Sequence, residues 1–142
     1  MDELQRLIGQ LRQHRYRMTP QRRAVLAAML GPISHPSADQ IYEMVCKQMP
    51  DISLATIYNT LRELVAIQEA RELDLGLRGR RYDIERREHA HLVCTHCGKI
   101  EDVMGDLAQV KASLPHGNGF RPMRYDAAIY GCCADCEPSQ VT

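Results

Sequence analysis

The 142-residue sequence contains no tryptophan and a single phenylalanine, and aromatic residues make up only 5% of it. It carries no net formal charge, and no stretch approaches the roughly 18 consecutive apolar residues of a membrane span. Its first segment, MDELQRLIGQLRQ, is charged and amphipathic and lacks the apolar region of a signal peptide. These absences argue against a membrane or secreted protein, and we expect a cytoplasmic protein with no membrane partner.

The hydrophobic content of 44% is nevertheless sufficient for a core, and the length suits one domain or two small ones. The zero net charge conceals an asymmetry. Residues 1–82 carry 12 Lys and Arg against 9 Asp and Glu, whereas residues 83–142 carry 6 against 9. A basic N-terminal part suits a polyanionic partner and an acidic C-terminal part suits cations, although chance scatter of surface charge explains the imbalance almost as well.

Six cysteines in a reducing compartment indicate metal binding or redox chemistry before structural disulfides. Cys94 and Cys97 are separated by two residues, as are Cys133 and Cys136. Each pair can bind one ion from a tight turn, and two such turns complete the tetrahedron that Zn²⁺ prefers. Four thiolates leave no position for water, so we predict a structural zinc site. A redox-active pair, a rubredoxin-like iron site and a competing Cys132 are the alternatives.

The N-terminal part shows the pattern of helices. Apolar residues first recur at helical spacing at Leu4, Leu7, Ile8 and Leu11. Thr19 followed by Pro20 predicts the start of a second helix, running to about Leu30, and Ser37 predicts the cap of a third. A fourth helix begins at Ser53, and two short strands, IQEARELDL and RRYDI, flank a glycine-containing turn. Helices followed by a β-hairpin are the order of a winged helix-turn-helix.

The fourth predicted helix, SLATIYNTLRELV, has two distinct faces. Its apolar face consists of Leu54, Ile57, Leu61 and Leu64. Its second face consists of Ala55, Tyr58, Asn59 and Arg62, which include side chains that reach bases and phosphates. A packing helix with a solvated polar face is the simpler interpretation. The position of this helix before a hairpin, in the basic part of the chain, favours a DNA-recognition helix.

The predicted fold class is α+β, with a winged helix-turn-helix domain at residues 1–82 and an α/β domain at residues 83–142. In the second domain, HLVC and KIEDV predict strands, and Asp106 to Leu114 predicts a short helix. The segment FRPMRYDAAIYG predicts a final strand with an irregularity near Pro122.

A second group of possible ligands lies beside the first cysteine pair. His89 and His91 alternate along a predicted strand, so both side chains point to one side. Asp83 and Asp102 lie on segments that could approach them, and His35 is an outlying candidate from the N-terminal domain. Mixed nitrogen and oxygen ligands suit Fe²⁺, Mn²⁺ or Zn²⁺ in an exchangeable site. A surface histidine pair with solvated acids is the alternative.

Five motifs together resemble the ferric uptake regulator family of bacterial metal-responsive repressors. They are RMTPQR at 17–22, HPSADQIY at 35–42, SLATIYNTLREL at 53–64, HAHLVCTHCGKIEDV at 89–103 and IYGCCADC at 129–136. The resemblance covers nearly the whole chain. It implies a winged-helix DNA-binding domain, a C-terminal α/β dimerisation domain, a homodimer, and metal-dependent binding to palindromic double-stranded operator DNA.

Within the family, the chain is most similar to the peroxide-sensing branch, whose regulatory Fe²⁺ or Mn²⁺ is held by three histidines and two aspartates. The matching positions are His35, Asp83, His89, His91 and Asp102. Iron sensors more often have glutamate where this chain has Asp83 and Asp102. A further His/acid site of many iron sensors is incomplete here, because the corresponding positions hold Glu88, Ala90 and Arg124.

The sequence therefore predicts a non-enzymatic, homodimeric repressor that senses peroxide by metal-catalysed oxidation of a ligand histidine. An iron- or manganese-responsive uptake regulator without peroxide sensing is the alternative. A zinc-ribbon redox protein is a rival interpretation, but nothing in the sequence supplies the βαβ context of a thioredoxin motif. A metal-storage or delivery protein, the second rival, would not need the fourth helix. The candidate DNA-contacting residues are Arg17, Thr19, Arg22, Ala55, Thr56, Tyr58, Asn59 and Arg62.

Overall fold

The computed structural model of the protein describes residues 2–76, 79–105, 108–113, 117–122 and 125–136. The chain separates into two compact units, Met1–Glu85 and Arg86–Thr142, which we call the N-terminal unit and the C-terminal unit. The boundary between them follows Glu85, whereas the predicted boundary follows Tyr82. Asp83 therefore belongs to the N-terminal unit.

The N-terminal unit begins with four helices. They are α1 (Glu3–Gln13), α2 (Pro20–Met29), α3 (Ala38–Cys46) and α4 (Leu54–Ala66). The last three are capped by Thr19, Ser37 and Ser53, whose hydroxyls each accept an N–H from the first turn. The first two caps were predicted, whereas Ser53 was predicted as the first residue of its helix. Ser37 and Gln40 also form a reciprocal capping box. Local side-chain chemistry thus fixes where these helices start.

One hydrophobic cluster joins all four helices. Its buried members are Leu7, Ile8, Leu11, Val25, Leu26, Met29, Ala38, Ile41, Val45, Ile52, Ile57, Leu61, Leu64, Ala70 and Tyr82. Leu54, predicted on the buried face of α4, is instead 38% exposed. It is the first residue of the helix, and side chains tilt toward the helix N-terminus, so it projects beyond the rest of the apolar face.

A two-stranded hairpin completes the N-terminal unit. Strands β1 (Arg71–Leu73) and β2 (Arg81–Asp83) are antiparallel, with Arg71 directly opposite Asp83. Both are shorter than the predicted segments. The hairpin packs on the helices through Tyr82, whose side chain is buried and whose N–H donates to the carbonyl of Pro36 at 3.0 Å. Four helices followed by this hairpin form the predicted winged helix.

The C-terminal unit contains a three-stranded sheet in the order β4-β3-β5. Strand β3 (His89–Cys94) lies in the centre, antiparallel to β4 (Ile100–Met104) and parallel to β5 (Ala128–Gly131). Helix α5 covers Ala108–Ser113, and the rest of the predicted helix, at 106–107 and 114, lies outside the described residues.

The final strand predicted from FRPMRYDAAIYG is too long. Of its described residues, only Ala128–Gly131 pair with β3, and positions 123–124 lie outside the described residues. Pro122 has no N–H to donate to a ladder, and β5 meets the central strand only from His91 to Cys94. Within the described ranges, no helix combines the length and the apolar character needed to cross a bilayer.

Candidate metal centres

The four paired cysteines come together at one end of the central strand. The Sγ atoms of Cys94 and Cys136 lie 3.6 Å apart, as do those of Cys97 and Cys133, and Cys133 and Cys136 are 3.5 Å apart. Thiolates at the corners of a tetrahedron with Zn–S bonds of about 2.3 Å lie about 3.8 Å from one another. None of the cysteines forms a disulfide. The donor set and its spacing therefore fit one Zn²⁺.

Two features of the backbone assemble this cluster. Gly98 adopts a φ of 79° that favours glycine, and its N–H donates to the carbonyl of Cys94 at 2.9 Å, which closes the first turn. The parallel pairing of β3 with β5 sets Cys94 opposite Gly131, just ahead of Cys133. The second turn closes when the N–H of Cys136 donates to Cys133 at 3.1 Å. Sheet pairing thus unites two distant segments.

The thiols of the cluster differ in acidity. The N–H groups of Cys97 and Cys133 point at the sulfur of Cys94, at 3.5 and 3.3 Å, and they lower the pKa of Cys94 to about 5. Burial, and then hydrogen bonding to neighbouring thiols, raises the pKa of Cys136. At neutral pH the anionic sulfur of Cys94 therefore lies beside the thiol of Cys136. Cys136 resists deprotonation unless a cation compensates the negative charge that results.

The other cysteines and one nearby histidine lie apart from the cluster. Cys132 is half-buried, and its sulfur faces the carbonyl of Cys133 at 3.6 Å, so the structure brings Cys133 rather than Cys132 to the other thiols. Cys46 is half-buried on α3. His96 is exposed in the first cysteine turn.

His89, His91 and Asp102 form a second cluster on the sheet of the C-terminal unit. Alternation along β3 puts both imidazoles on one face, and the ladder sets Asp102 opposite His91. The two Nε2 atoms are 3.0 Å apart, and Oδ1 of Asp102 lies 3.5 Å from one and 3.7 Å from the other. Both histidines are buried. The three donor atoms converge on one point.

This spacing is the one expected of ligands of a single ion. Two atoms at right angles around an ion with bonds of about 2.1 Å lie about 3.0 Å apart. Nδ1 of His89 is 2.6 Å from the carbonyl of Arg87, so it carries the proton and donates to that oxygen. Nε2 of His89 then presents its lone pair to the other donors, as in metal sites whose ligands are oriented by an outer hydrogen bond.

The N-terminal unit contributes His35 and Asp83, both almost fully buried at 5% and 4% exposure. Nε2 of His35 is 3.8 Å from Oδ1 of Asp83. His35 adopts a φ of 54°, a conformation that costs a residue with a side chain about 1–2 kcal/mol. Its Nδ1 lies 2.6 Å from the hydroxyl of Ser34. Such strain at a buried polar residue indicates a functional position.

The carboxylate of Asp83 is held at both oxygens within the N-terminal unit. Oδ1 accepts the N–H of Glu85 at 2.8 Å, and Oδ2 accepts from Nη2 of Arg71 at 3.2 Å. Sequence reasoning missed Arg71. The contact of Arg71 with Asp83 depends on the register of the hairpin. That register could be predicted only if the length of the turn between the strands were known. Of the five predicted regulatory ligands, two thus lie in the N-terminal unit and three in the C-terminal unit.

The outward face of α4 carries most of the candidate DNA-contacting residues. Ala55, Tyr58, Asn59 and Arg62 are exposed, and Thr56 is half-buried. A groove lies between the starts of α2 and α4. It is lined by Thr19, Gln21, Arg22, Asp51, Ile52, Ser53, Thr56 and Asn59. Two helix N-termini open on this groove, and their dipoles contribute positive potential there beside the carboxylate of Asp51.

The three remaining DNA-contact candidates, Arg17, Thr19 and Arg22, lie at or just before the start of α2. Nη2 of Arg22 is 2.5 Å from Oε1 of Glu63, and Nη1 donates to the carbonyl of Arg17. Arg22 therefore ties the start of α2 to α4. The hydroxyl of Thr19 caps α2, and the side chain of Arg17 is exposed.

A winged helix joined to a small sheet with a four-thiol cluster and a His/Asp cluster defines a metal-dependent transcriptional regulator. The chain belongs to the ferric uptake regulator family, whose sequence profile matches residues 13–130. It is 38% identical to the peroxide-responsive repressor PerR of Staphylococcus aureus strain USA300 over 136 residues, which cover 95% of this chain and 92% of that protein.

Two solved structures of similar proteins share the fold. The Campylobacter jejuni peroxide stress regulator is 31% identical, with a TM-score of 0.70 over 96% of this chain and 100% of that one. PerR from Streptococcus pyogenes is 34% identical, with a TM-score of 0.56 over 96% and 95% of the two chains. The predicted family and fold class are confirmed, and with them the prediction of a regulator rather than an enzyme.

Proposed function

We propose that this protein is a metal-dependent repressor that binds palindromic operator DNA as a homodimer. It holds a structural Zn²⁺ on Cys94, Cys97, Cys133 and Cys136. It holds a regulatory Fe²⁺ or Mn²⁺ on His35, Asp83, His89, His91 and Asp102. The observation that carries the proposal is the convergence of the buried Nε2 atoms of His89 and His91, 3.0 Å apart, beside the carboxylate of Asp102.

The division of these ligands between two units supplies the link from metal to DNA. An ion bound by His35 and Asp83 as well as by the histidines of β3 would fix one relative orientation of the units. In a homodimer, that orientation sets the spacing of the two recognition helices, which must match the operator half-sites. The metal acts by binding the DNA-competent arrangement better than the alternatives.

Peroxide sensing would use two of the ligand histidines, His35 and His89. Bound Fe²⁺ supplies the redox activation that lets H₂O₂ react at a ligand ring, which Mn²⁺ does not. The O–O bond breaks, one oxygen is inserted into the C–H bond between the ring nitrogens, and the other leaves as water. The ring loses two electrons and the peroxide gains two. An oxidised ring is a poorer ligand, so metal and DNA are released.

The test compares the Fe²⁺ and Mn²⁺ forms on a duplex selected from a random library with the Mn²⁺ form. After mild H₂O₂, the Fe²⁺ form should lose DNA binding, and mass spectrometry should find one added oxygen on a peptide containing His35 or His89. The Mn²⁺ form, as the control, should keep its DNA. Oxidation confined to the four cluster cysteines would instead indicate a thiol sensor. Unchanged protein and unchanged DNA binding would indicate an iron- or manganese-responsive uptake regulator.

The exposed face of α4 gives a separate prediction for DNA recognition. Arg62 lies one turn after Tyr58, where it can reach a guanine edge or a phosphate. Arg62→Ala should cost about 1–3 kcal/mol of operator binding and leave the metal content unchanged. Fluorescence anisotropy at fixed salt measures it. Arg121→Ala, which removes the same charge from an exposed position in the C-terminal unit, is the matched control. Equal affinities for the two variants would mean that another element enters the groove.

A further inference from the structure

The two oxygens of Asp83 face different partners. Oδ1 lies on the side of His35, 3.8 Å from its Nε2. Oδ2 is 3.2 Å from Nη2 of Arg71, in an ion pair whose carboxylate side chain is only 3% exposed. The antiparallel register of β1 and β2 sets Arg71 directly opposite Asp83, so the backbone of the hairpin maintains the pair.

We propose that Arg71 is a positioning residue that confines Asp83 to one bond to the regulatory metal, through Oδ1. The inference rests on the proposed function, because it concerns a ligand of that site. The guanidinium occupies Oδ2 with a charge-assisted hydrogen bond, which is stronger than a neutral one. Oδ1 keeps its orientation independently, because it also accepts the N–H of Glu85 at 2.8 Å.

The number of bonds from Asp83 decides whether a small molecule can reach the metal. Carboxylates bind metals through one or both oxygens. Three imidazoles and two carboxylates that each give one atom provide five donors, and an ion that prefers six ligands then has room for one small molecule, water or peroxide. A carboxylate that gives both oxygens fills this place. By holding Oδ2, Arg71 keeps the site open to its signal.

Arg71 also lowers the affinity of the site for a divalent cation. Its positive charge lies on the carboxylate that would bind the ion, and like charges repel. Removal of the guanidinium therefore releases a second donor oxygen and removes a repulsion. Both changes strengthen metal binding, which is the opposite of the loss expected when an ordinary supporting residue is removed.

The experiment uses the full-length, zinc-loaded protein with Mn²⁺ as the probe. Competition with a fluorescent chelator measures the affinity for Mn²⁺, and water-proton relaxation measures exchangeable water on the bound ion. Arg71→Met should bind Mn²⁺ roughly tenfold more tightly, within the range known for changes around metal ligands, and should lose the exchangeable water. Arg71→Lys, which keeps the charge and a donor, should restore the water.

Arg80→Met is the matched control. Arg80 belongs to the same hairpin and pairs with Glu72 at 2.6 Å, and neither residue is a proposed ligand. Its Mn²⁺ affinity and water relaxation should equal those of the wild type. A tighter Arg71→Met variant that retains the water would overturn the proposal, because the charge alone would then explain the affinity.

Two further measurements keep the outcome decisive. If Arg71→Met fails to fold, a crystal structure of the wild-type Mn²⁺ form decides. We expect one oxygen of Asp83 on the metal and the other on Arg71, and two oxygens on the metal would contradict us. His89→Ala tests the proposed metal site separately. If that variant binds Mn²⁺ as tightly as the wild type, the regulatory site itself is wrong, whatever Arg71 does.

Discussion

Cys94→Ser is expected to unfold the C-terminal unit while the N-terminal unit stays folded. The two units differ in what stabilises them. The large hydrophobic cluster lies wholly in the N-terminal unit. Among the described residues of the C-terminal unit, the buried hydrophobic set is small. It consists of Ala90, Val93, Cys94, Ile100 and Cys136, two of which are cysteines of the metal cluster.

The magnitudes favour complete unfolding of that unit over a modest loss of stability. Structural zinc contributes about 10–16 kcal/mol in zinc-finger peptides, whereas a whole domain is stable by about 5–15 kcal/mol. The pKa of Cys94 is lowered to about 5, because two N–H groups already point at its sulfur. A serine hydroxyl stays protonated at neutral pH and cannot replace this thiolate.

Three measurements check the expected result. Elemental analysis should find little zinc in Cys94→Ser, sedimentation should find monomer, and limited proteolysis should leave a fragment near Met1–Glu85. Cys132→Ser, which alters the half-buried neighbour outside the cluster, should behave as the wild type. A zinc-free Cys94→Ser protein that remains a stable dimer would show that the sheet does not need the metal.

Much of the N-terminal unit could be predicted because its signals are local. Thr19, Ser37 and Ser53 cap the helices through bonds to residues three positions away, so the sequence itself shows where each helix starts. The exposure of Leu54 could not be predicted, because helical periodicity places a residue on a face and does not show where that face ends.

The C-terminal unit was less predictable because its sheet depends on pairing between distant segments. Strand β5 is parallel to β3, and a parallel pair needs a long connection whose course no local pattern reveals. The extent of β5 was therefore overestimated. The spacing of each cysteine pair, by contrast, is a property of a single turn, so the four-thiol cluster could be proposed from the sequence.

The His/Asp cluster lies between these extremes. Alternation along one strand is local, and it correctly places His89 and His91 on one side. The left-handed backbone of His35 and the ion pair between Arg71 and Asp83 have no local signal. His35 precedes Pro36, whose carbonyl accepts the N–H of Tyr82 in the hairpin, and the ion pair depends on the register of that hairpin. Non-local constraints of this kind explain what the sequence could not predict.

His35→Ala is expected to abolish metal-dependent DNA binding while the zinc and the dimer remain. His35 is the only proposed histidine ligand of the N-terminal unit, so its loss weakens the connection between the metal and the recognition helix. Histidine and alanine both carry a Cβ at this φ of 54°, so the substitution adds little backbone strain to the N-terminal unit. The effect should therefore appear in regulation and not in folding.

The measurement is a Mn²⁺ titration of DNA binding, followed by fluorescence anisotropy. Wild type should gain DNA affinity as Mn²⁺ is added, by roughly 5–150-fold for a coupling of about 1–3 kcal/mol. His35→Ala should show no such gain. His14→Ala is the control and should titrate as the wild type. His14 is exposed at the C-terminal end of α1, and its Nδ1 lies 2.9 Å from the carbonyl of Gln10. If His35→Ala binds DNA with the normal dependence on Mn²⁺, the ion does not act by joining the two units, and its effect must arise within the C-terminal unit alone.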